Sequence, residues 1–109
     1  MTDLMGSFTI ETFKPHLNTQ FVITLVDADG KEIPYPLTLI EASPLGDVDK
    51  EHGPDERVAF SLIFSHPDTT QHLLQNTYHL DHPAFTNLLL FIVPLGPRSE
   101  AMCYEAIIS

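Results

Sequence analysis

Residues 76–82 (NTYHLDH), 87–95 (NLLLFIVPL) and 102–109 (MCYEAIIS) follow one another with almost no slack. Each has strand length and is rich in β-branched, aromatic or aliphatic residues. Turn chemistry separates them: His82-Pro83-Ala84 first, then Gly96-Pro97-Arg98-Ser99. Three strands joined this tightly can only run antiparallel, because parallel neighbours need a crossover of a dozen residues or more. The last third therefore predicts a compact antiparallel β fold and leaves little room for an active site.

Upstream the same grammar repeats. Residues 20–26 (QFVITLV) alternate, with Phe21, Ile23 and Leu25 on one face. Asp27-Ala28-Asp29-Gly30-Lys31 reads as a hairpin turn in which Gly30 supplies a positive φ. The return strand is 33–42 (IPYPLTLIEA). Pro34 and Pro36 sit two apart, so both missing N–H donors fall on one side, which puts the start of this strand on an exposed edge. Residues 57–65 (RVAFSLIFS) form the next strand, with Val58, Phe60, Leu62 and Phe64 on one face, and 66–74 connect it onward, with room for one turn of helix. Nearer the start, 9–17 (TIETFKPHL) reads as a short strand or a single helical turn that plugs one end of the sheet. Pro15 limits any helix there and Asn18 closes it.

About six strands in 109 residues predict an all-β fold, a small antiparallel barrel or closed sandwich. Residues 1–7 form a loose lead-in, 8–109 a single domain, and 43–56 (SPLGDVDKEHGPDE) one acidic loop. A domain of this size buries roughly 60–70% of its unfolded surface, enough for a core without metal or disulfide. Nine prolines, most of them between apolar runs, fit many short strands with tight connections.

Five Lys and Arg against fifteen Asp and Glu give a formal charge of −10. Phosphate backbones and anionic bilayers both demand a basic face that this chain lacks, so we expect no nucleic-acid or membrane partner. The balance favours solubility or a basic protein partner. The single cysteine, Cys103, excludes a disulfide within the chain and fits a reducing compartment. The first thirteen residues lack the basic and apolar regions of a signal peptide, and the longest apolar run, 88–93, is too short to span a bilayer. A cytoplasmic location is the expectation.

That apolar run (LLLFIV) is hydrophobic at every position, where a half-exposed strand should alternate. Either both its faces are covered or its outer face meets another subunit. Leu88, Leu90 and Ile92, together with Pro34 and Pro36, are the expected interface residues.

The residues between 60 and 106 also resemble a bacterial family of small proteins described only as a domain of unknown function. The resemblance rests on Phe60-Ser61-Leu62 with Phe64, Leu74-Gln75-Asn76-Thr77-Tyr78 with Leu80, His82 and Pro83, Leu90-Phe91-Ile92-Val93-Pro94 with Gly96, and Tyr104-Glu105-Ala106. Phe13, Leu17, Phe21 and Leu37-Thr38-Leu39 with Glu41 extend it more loosely. Two departures affect loop shape. Asn76 stands where the family pattern has Gly, and still tolerates a left-handed backbone; Ala84-Phe85-Thr86 replaces a smaller Leu-Gly. Turn roles accordingly fall to Gly30, Asn76, Pro83 and Gly96. The resemblance implies a fold and no activity.

Constellations for chemistry are thin. His79 and Asp81 share a strand face and His72 lies in the neighbouring connection, the weak candidates for a metal; His82 points the other way, bonding near its own His-Pro turn. Asp47, Asp49 and Glu51 alternate like calcium ligands, but His52 and Val58 occupy the sixth and twelfth positions, where an EF-hand needs Gly and Glu. Asp27-x-Asp29-Gly30 places its Gly at the fourth position and fails likewise. Cys103 sits inside a strand with no helix N-terminus or basic cluster beside it and reads as a buried thiol. No G-x-S-x-G elbow and no glycine-rich phosphate loop occurs. Glu41 and Glu105 form a carboxylate pair only if both point inward; period-2 counting from Tyr104 and Ala106 turns Glu105 outward. We therefore expect no catalytic residues, no cofactor and no resident metal. The favoured function is a structural or interaction module that pairs with itself, as a homodimer, or docks on a protein partner. A small-ligand barrel comes second and an enzyme last.

Overall fold

The computed structural model describes residues 9–45, 59–70, 73–98 and 100–108. The expected lead-in, most of the acidic loop with Asp47, Asp49, Glu51 and His52, the Arg57–Val58 strand start, His72 and Ser99 lie outside the described residues.

Six strands close into a barrel: β1 (Gln20–Val26), β2 (Glu32–Pro44), β3 (Phe60–His66), β4 (Asn76–His82), β5 (Phe85–Arg98) and β6 (Ala101–Ile108). Their order around the barrel is β1-β2-β3-β6-β5-β4, with every pairing antiparallel. Two three-strand meanders, β1-β2-β3 and β4-β5-β6, thus join edge to edge. Since β3 and β4 stand on opposite sides of the ring, the connection between them must cross one mouth of the barrel.

The short element before β1 is helical. α1 (Ile10–Phe13) runs into a 3₁₀ turn, Lys14–His16, that carries Pro15. The Thr9 N–H donates to Thr12 Oγ1 at 3.1 Å, holding an otherwise free N-terminal donor. Asn18, at φ 69°, ends the turn, and its N–H donates to the Leu39 carbonyl at 2.6 Å, so the plug is tied to β2. Phe13 is fully buried and closes this mouth, hereafter the helix end. Among the described residues no helix is long and apolar enough to cross a membrane.

Period-2 patterning predicts the core correctly. Phe21 and Ile23 of β1 and Phe60, Leu62 and Phe64 of β3 line the interior, and Leu37 and Leu39 of β2, to which the pattern assigns no face, join them. Gly30 takes φ +82° in the β1–β2 turn, where the Asp27 carboxylate accepts the Asp29 and Lys31 N–H groups, each at 2.9 Å. Pro83 and Ala84 form the two-residue β4–β5 turn.

The long strands bend at bulges. Ile40 is the extra residue between Leu39/Phe64 and Glu41/Ile63. On β5, one extra residue lies between Phe85/His82 and Leu88/Leu80, with Asn87 at φ 56°, and another between Pro94 and Gly96, with Gly96 at φ +103°. Bulges increase twist and bend a strand, which is how thirteen- and fourteen-residue strands wrap a six-stranded barrel. Two expected turn roles change as a result. Asn76 opens β4 in extended conformation opposite Ile92, so the left-handed asparagine of this hairpin is Asn87. Gly96 serves a bulge inside β5, which continues to Arg98, not a turn.

The interface expectation is corrected too. Leu88, Leu90 and Ile92 face inward and are fully buried. The outer face of β5 belongs to the intervening residues: Leu89 and Phe91 are 43% and 49% exposed. The described residues therefore do not cover this strand on both sides. Pro34 is exposed and Pro36 half-buried at the start of β2, beyond the Thr38/Ser65 pair where β3 pairing ends, so the predicted edge is present.

Candidate functional site

Polar side chains gather at the two mouths of the barrel. At the helix end, His82 is the centre. Its ring lies 4.2 Å from that of Phe21 and 4.9 Å from that of His16. The Ala84 N–H donates to His82 Nδ1 at 3.0 Å, as the His-Pro turn predicts. Nδ1 is thus the unprotonated nitrogen and Nε2 carries the hydrogen. Thr19 Oγ1 lies 3.0 Å from Nε2 and donates its own hydrogen to the His16 carbonyl at 2.6 Å, so it accepts from His82. Burial, and then the neighbouring His16, push the His82 pKa below its ordinary value. One neutral imidazole therefore ties the β4–β5 turn to β1 and to the helical plug.

At the opposite mouth three tyrosines meet. Tyr35 Oη and Tyr104 Oη are 2.7 Å apart, and the Leu73 N–H donates to Tyr104 Oη at 2.9 Å. Leu73 is buried where the β3–β4 connection crosses this mouth. His66 stacks on Tyr35 with ring centroids 3.8 Å apart. The His66 Nδ1–H donates to the Pro36 carbonyl at 2.7 Å, an acceptor that fixes its tautomer. Tyr78 Oη donates to the Leu74 carbonyl at 2.6 Å. Burial, then the Tyr104 hydroxyl, push the Tyr35 phenol far above its ordinary value; the Tyr78 phenol is raised by burial and then by Tyr104. Phenols held neutral in this way donate and accept hydrogen bonds but do not act as bases at neutral pH. Asp68, in the crossing segment, is held below the carboxylate range by the Thr70 hydroxyl and then the Thr70 N–H.

Between these ends the barrel is filled. Phe13, Phe21, Phe60, Phe64, Leu62, Leu90 and their neighbours pack the interior, and no cavity opens among the described residues.

His79 and Asp81 do come together, Nδ1 to Oδ1 at 3.5 Å on the outer face of β4. No third ligand joins them among the described residues. Glu41 and Glu105 both point outward. Ser43 Oγ donates to Glu41 at 2.8 Å and Ser61 Oγ to Glu105 at 2.7 Å, so no interior carboxylate pair forms. Cys103 is buried, as its position in β6 predicts. The Tyr35–Tyr104–Leu73 cluster carries no signal in the sequence. Its members lie 31 and 69 residues apart, and only the ring closure brings them together.

The outer face of the barrel carries a second feature. Leu89 and Phe91 of β5 stand opposite His79 and Thr77 of β4. Following the Val93/Glu105 pair two positions along each strand brings Phe91 level with Ile107 of β6, which is 55% exposed. Leu95 continues the stripe along β5. No curated protein and no solved structure matches the chain. A family model does match, over residues 8–108, and by that match the closed six-stranded barrel belongs to the family described as a domain of unknown function (DUF6916).

Proposed function

We propose that this chain is a non-enzymatic structural or interaction module that self-associates or docks on a protein partner in a larger bacterial assembly. The observation that carries the reading is the apolar stripe Leu89, Phe91 and Leu95, with Ile107 beside it, exposed on the outside of a barrel whose interior is already full. A filled interior supports binding on the surface over binding in the barrel, so the small-ligand reading draws no support from the packing. The polar groups at the two mouths bond to one another and to backbone, which supports a structural role for them. The lone buried Cys103 and the acidic balance fit a reducing, cytoplasmic setting with a partner that is not nucleic acid.

Light scattering on the purified chain at micromolar concentration tests this. We expect a mass above the monomer, or a copurifying protein, and expect Leu89→Asp or Phe91→Asp to abolish it while leaving the melting temperature in place. A clean monomer with nothing bound would count against the proposal.

A further inference from the structure

The barrel closes unevenly. β1 and β4 meet at Val22 opposite Asp81 and at Ile23 opposite Leu80, where the ladder ends. β1 is in register with β2 from Gln20 to Val26, and β4 with β5 from Asn76 to His82. Toward the tyrosine end, then, β1 and β4 each keep a neighbour on one side only, and among the described residues no strand covers either edge.

Three residues reveal which backbone groups face that seam. Pro34 and Pro36 stand opposite Thr24 and Val22 and have no N–H to give. The Pro36 carbonyl accepts from His66, on the β3 side. Bonded and non-bonded positions alternate in an antiparallel pair, so β1 bonds β2 through Phe21, Ile23 and Leu25. Val22, Thr24 and Val26 therefore turn their N–H and C=O toward β4. On β4, the Thr77 N–H donates to Asn76 Oδ1 at 2.8 Å and not to β5. Thr77 thus faces β1, as do His79 and Asp81 at the same parity. The Val22/Asp81 rung agrees with both assignments. Past that rung lie Thr24 and Val26 on one edge and Thr77 and His79 on the other.

The surroundings have a sign. Asp27, Asp29 and Glu32 lie at the hairpin tip just past Val26, and Asp81 at the closed end of the seam, against one base, Lys31. Apolar surface is at hand as well: Val26 is 65% exposed at the end of β1 and Leu74 73% exposed just before β4, where its carbonyl accepts from Tyr78. We infer that the β1–β4 seam accepts an extended, basic segment of a partner protein as an added strand. Main-chain hydrogen bonds along Thr77 and His79, with the Thr77 N–H exchanging Asn76 Oδ1 for the incoming carbonyl, or along Thr24 and Val26, hold such a strand. Its Lys or Arg residues meet the acidic rim, and its alternate apolar residues cover Val26 and Leu74. A second copy is the poorer occupant, because each copy brings a formal charge of −10. The inference rests on the reading of the chain as an interaction module but uses a different surface from the β5 stripe.

The test is amide hydrogen exchange and chemical shift on the ¹⁵N-labelled full chain, titrated with an acetylated, amidated Lys-Val-Lys-Val-Lys-Val peptide and its Glu-Val counterpart. We expect the Thr24, Val26, Thr77 and His79 amides to shift, and those on the occupied edge to exchange about tenfold more slowly, with the Lys peptide alone. Val26→Pro and Thr77→Pro each remove a seam-facing N–H from an edge, where proline is tolerated. The pair should lose the response between them while both variants melt near the parent temperature. No response at these amides, an equal response to the Glu peptide, or an undiminished response in both proline variants would overturn the inference. Concentration-dependent protection of the same amides without peptide would overturn it in favour of a second copy. Phe91→Asp separates the two surfaces: it should leave the peptide response intact, so a failed seam with a functioning β5 stripe sinks this inference alone.

Discussion

Protonating His82 would set a new N–H against the Ala84 amide that already donates to Nδ1. Burial, and then the neighbouring His16, hold its pKa below the ordinary value of about 6.5, so the folded chain resists that proton. The unfolded chain takes the proton up first. The stability this arrangement contributes is complete above the ordinary value and is lost as pH falls through it toward the lower folded value. Thermal melts between about pH 8 and pH 5, above the range where most carboxylates titrate, should show the melting temperature dropping on the acid side. His82→Gln should flatten that dependence; an unchanged slope would show that the ring is not the titrating group. At the other mouth, Tyr104→Phe leaves the buried Leu73 N–H without its acceptor. Urea unfolding should register a loss of about 1–3 kcal/mol, and Tyr35→Phe a smaller one, because the Leu73 bond survives it.

Strand shape depends on a few backbone positions. A methyl group added at Gly96 would meet nothing within 4 Å, so any penalty there comes from φ +103° alone. Gly96→Ala should cost about 1–3 kcal/mol, whereas Asn87→Gly, at φ 56°, should be neutral or slightly stabilising. Equal effects at the two sites would contradict the bulge geometry. α1 is too short to be stable alone, and its contribution is the side chain it delivers. Phe13 stacks on Phe85 with centroids 5.0 Å apart and lies 5.8 Å from the Phe60 ring. Phe13→Ala should therefore cost about 3–5 kcal/mol, read by denaturant titration, while exposed Glu11→Ala should change little.

For the whole molecule, charge and apolar surface oppose each other. A formal charge of −10 repels identical copies, yet the Leu89–Phe91–Leu95 stripe favours association. If like copies pair through that stripe, added salt should tighten them, because screening weakens the repulsion and leaves apolar burial in place. A basic partner would show the reverse, weakening as salt rises. Light scattering across a salt series distinguishes the two.

Alternation by itself determined much of this protein. Phe21, Ile23, Phe60, Leu62 and Phe64 belong in the core by period-2 counting alone, because a pleated strand sends every second side chain to one face. Gly30 and Pro83 announced their turns, and the outward direction of Glu105 followed from Tyr104 and Ala106 beside it. Local pattern failed where an extra residue shifts the count. The bulge at Asn87 and the next one at Gly96 depend on how β5 pairs with β4 and β6. The run LLLFIV is apolar at every position, so it has no alternation from which to tell inner Leu88, Leu90 and Ile92 from outer Leu89 and Phe91. Nor does spacing foretell that Tyr35 and Tyr104 meet, or that the β1–β4 ladder ends at Ile23. Those are decided by ring closure, which sets neighbours across the barrel by strand order and register and not by distance along the chain.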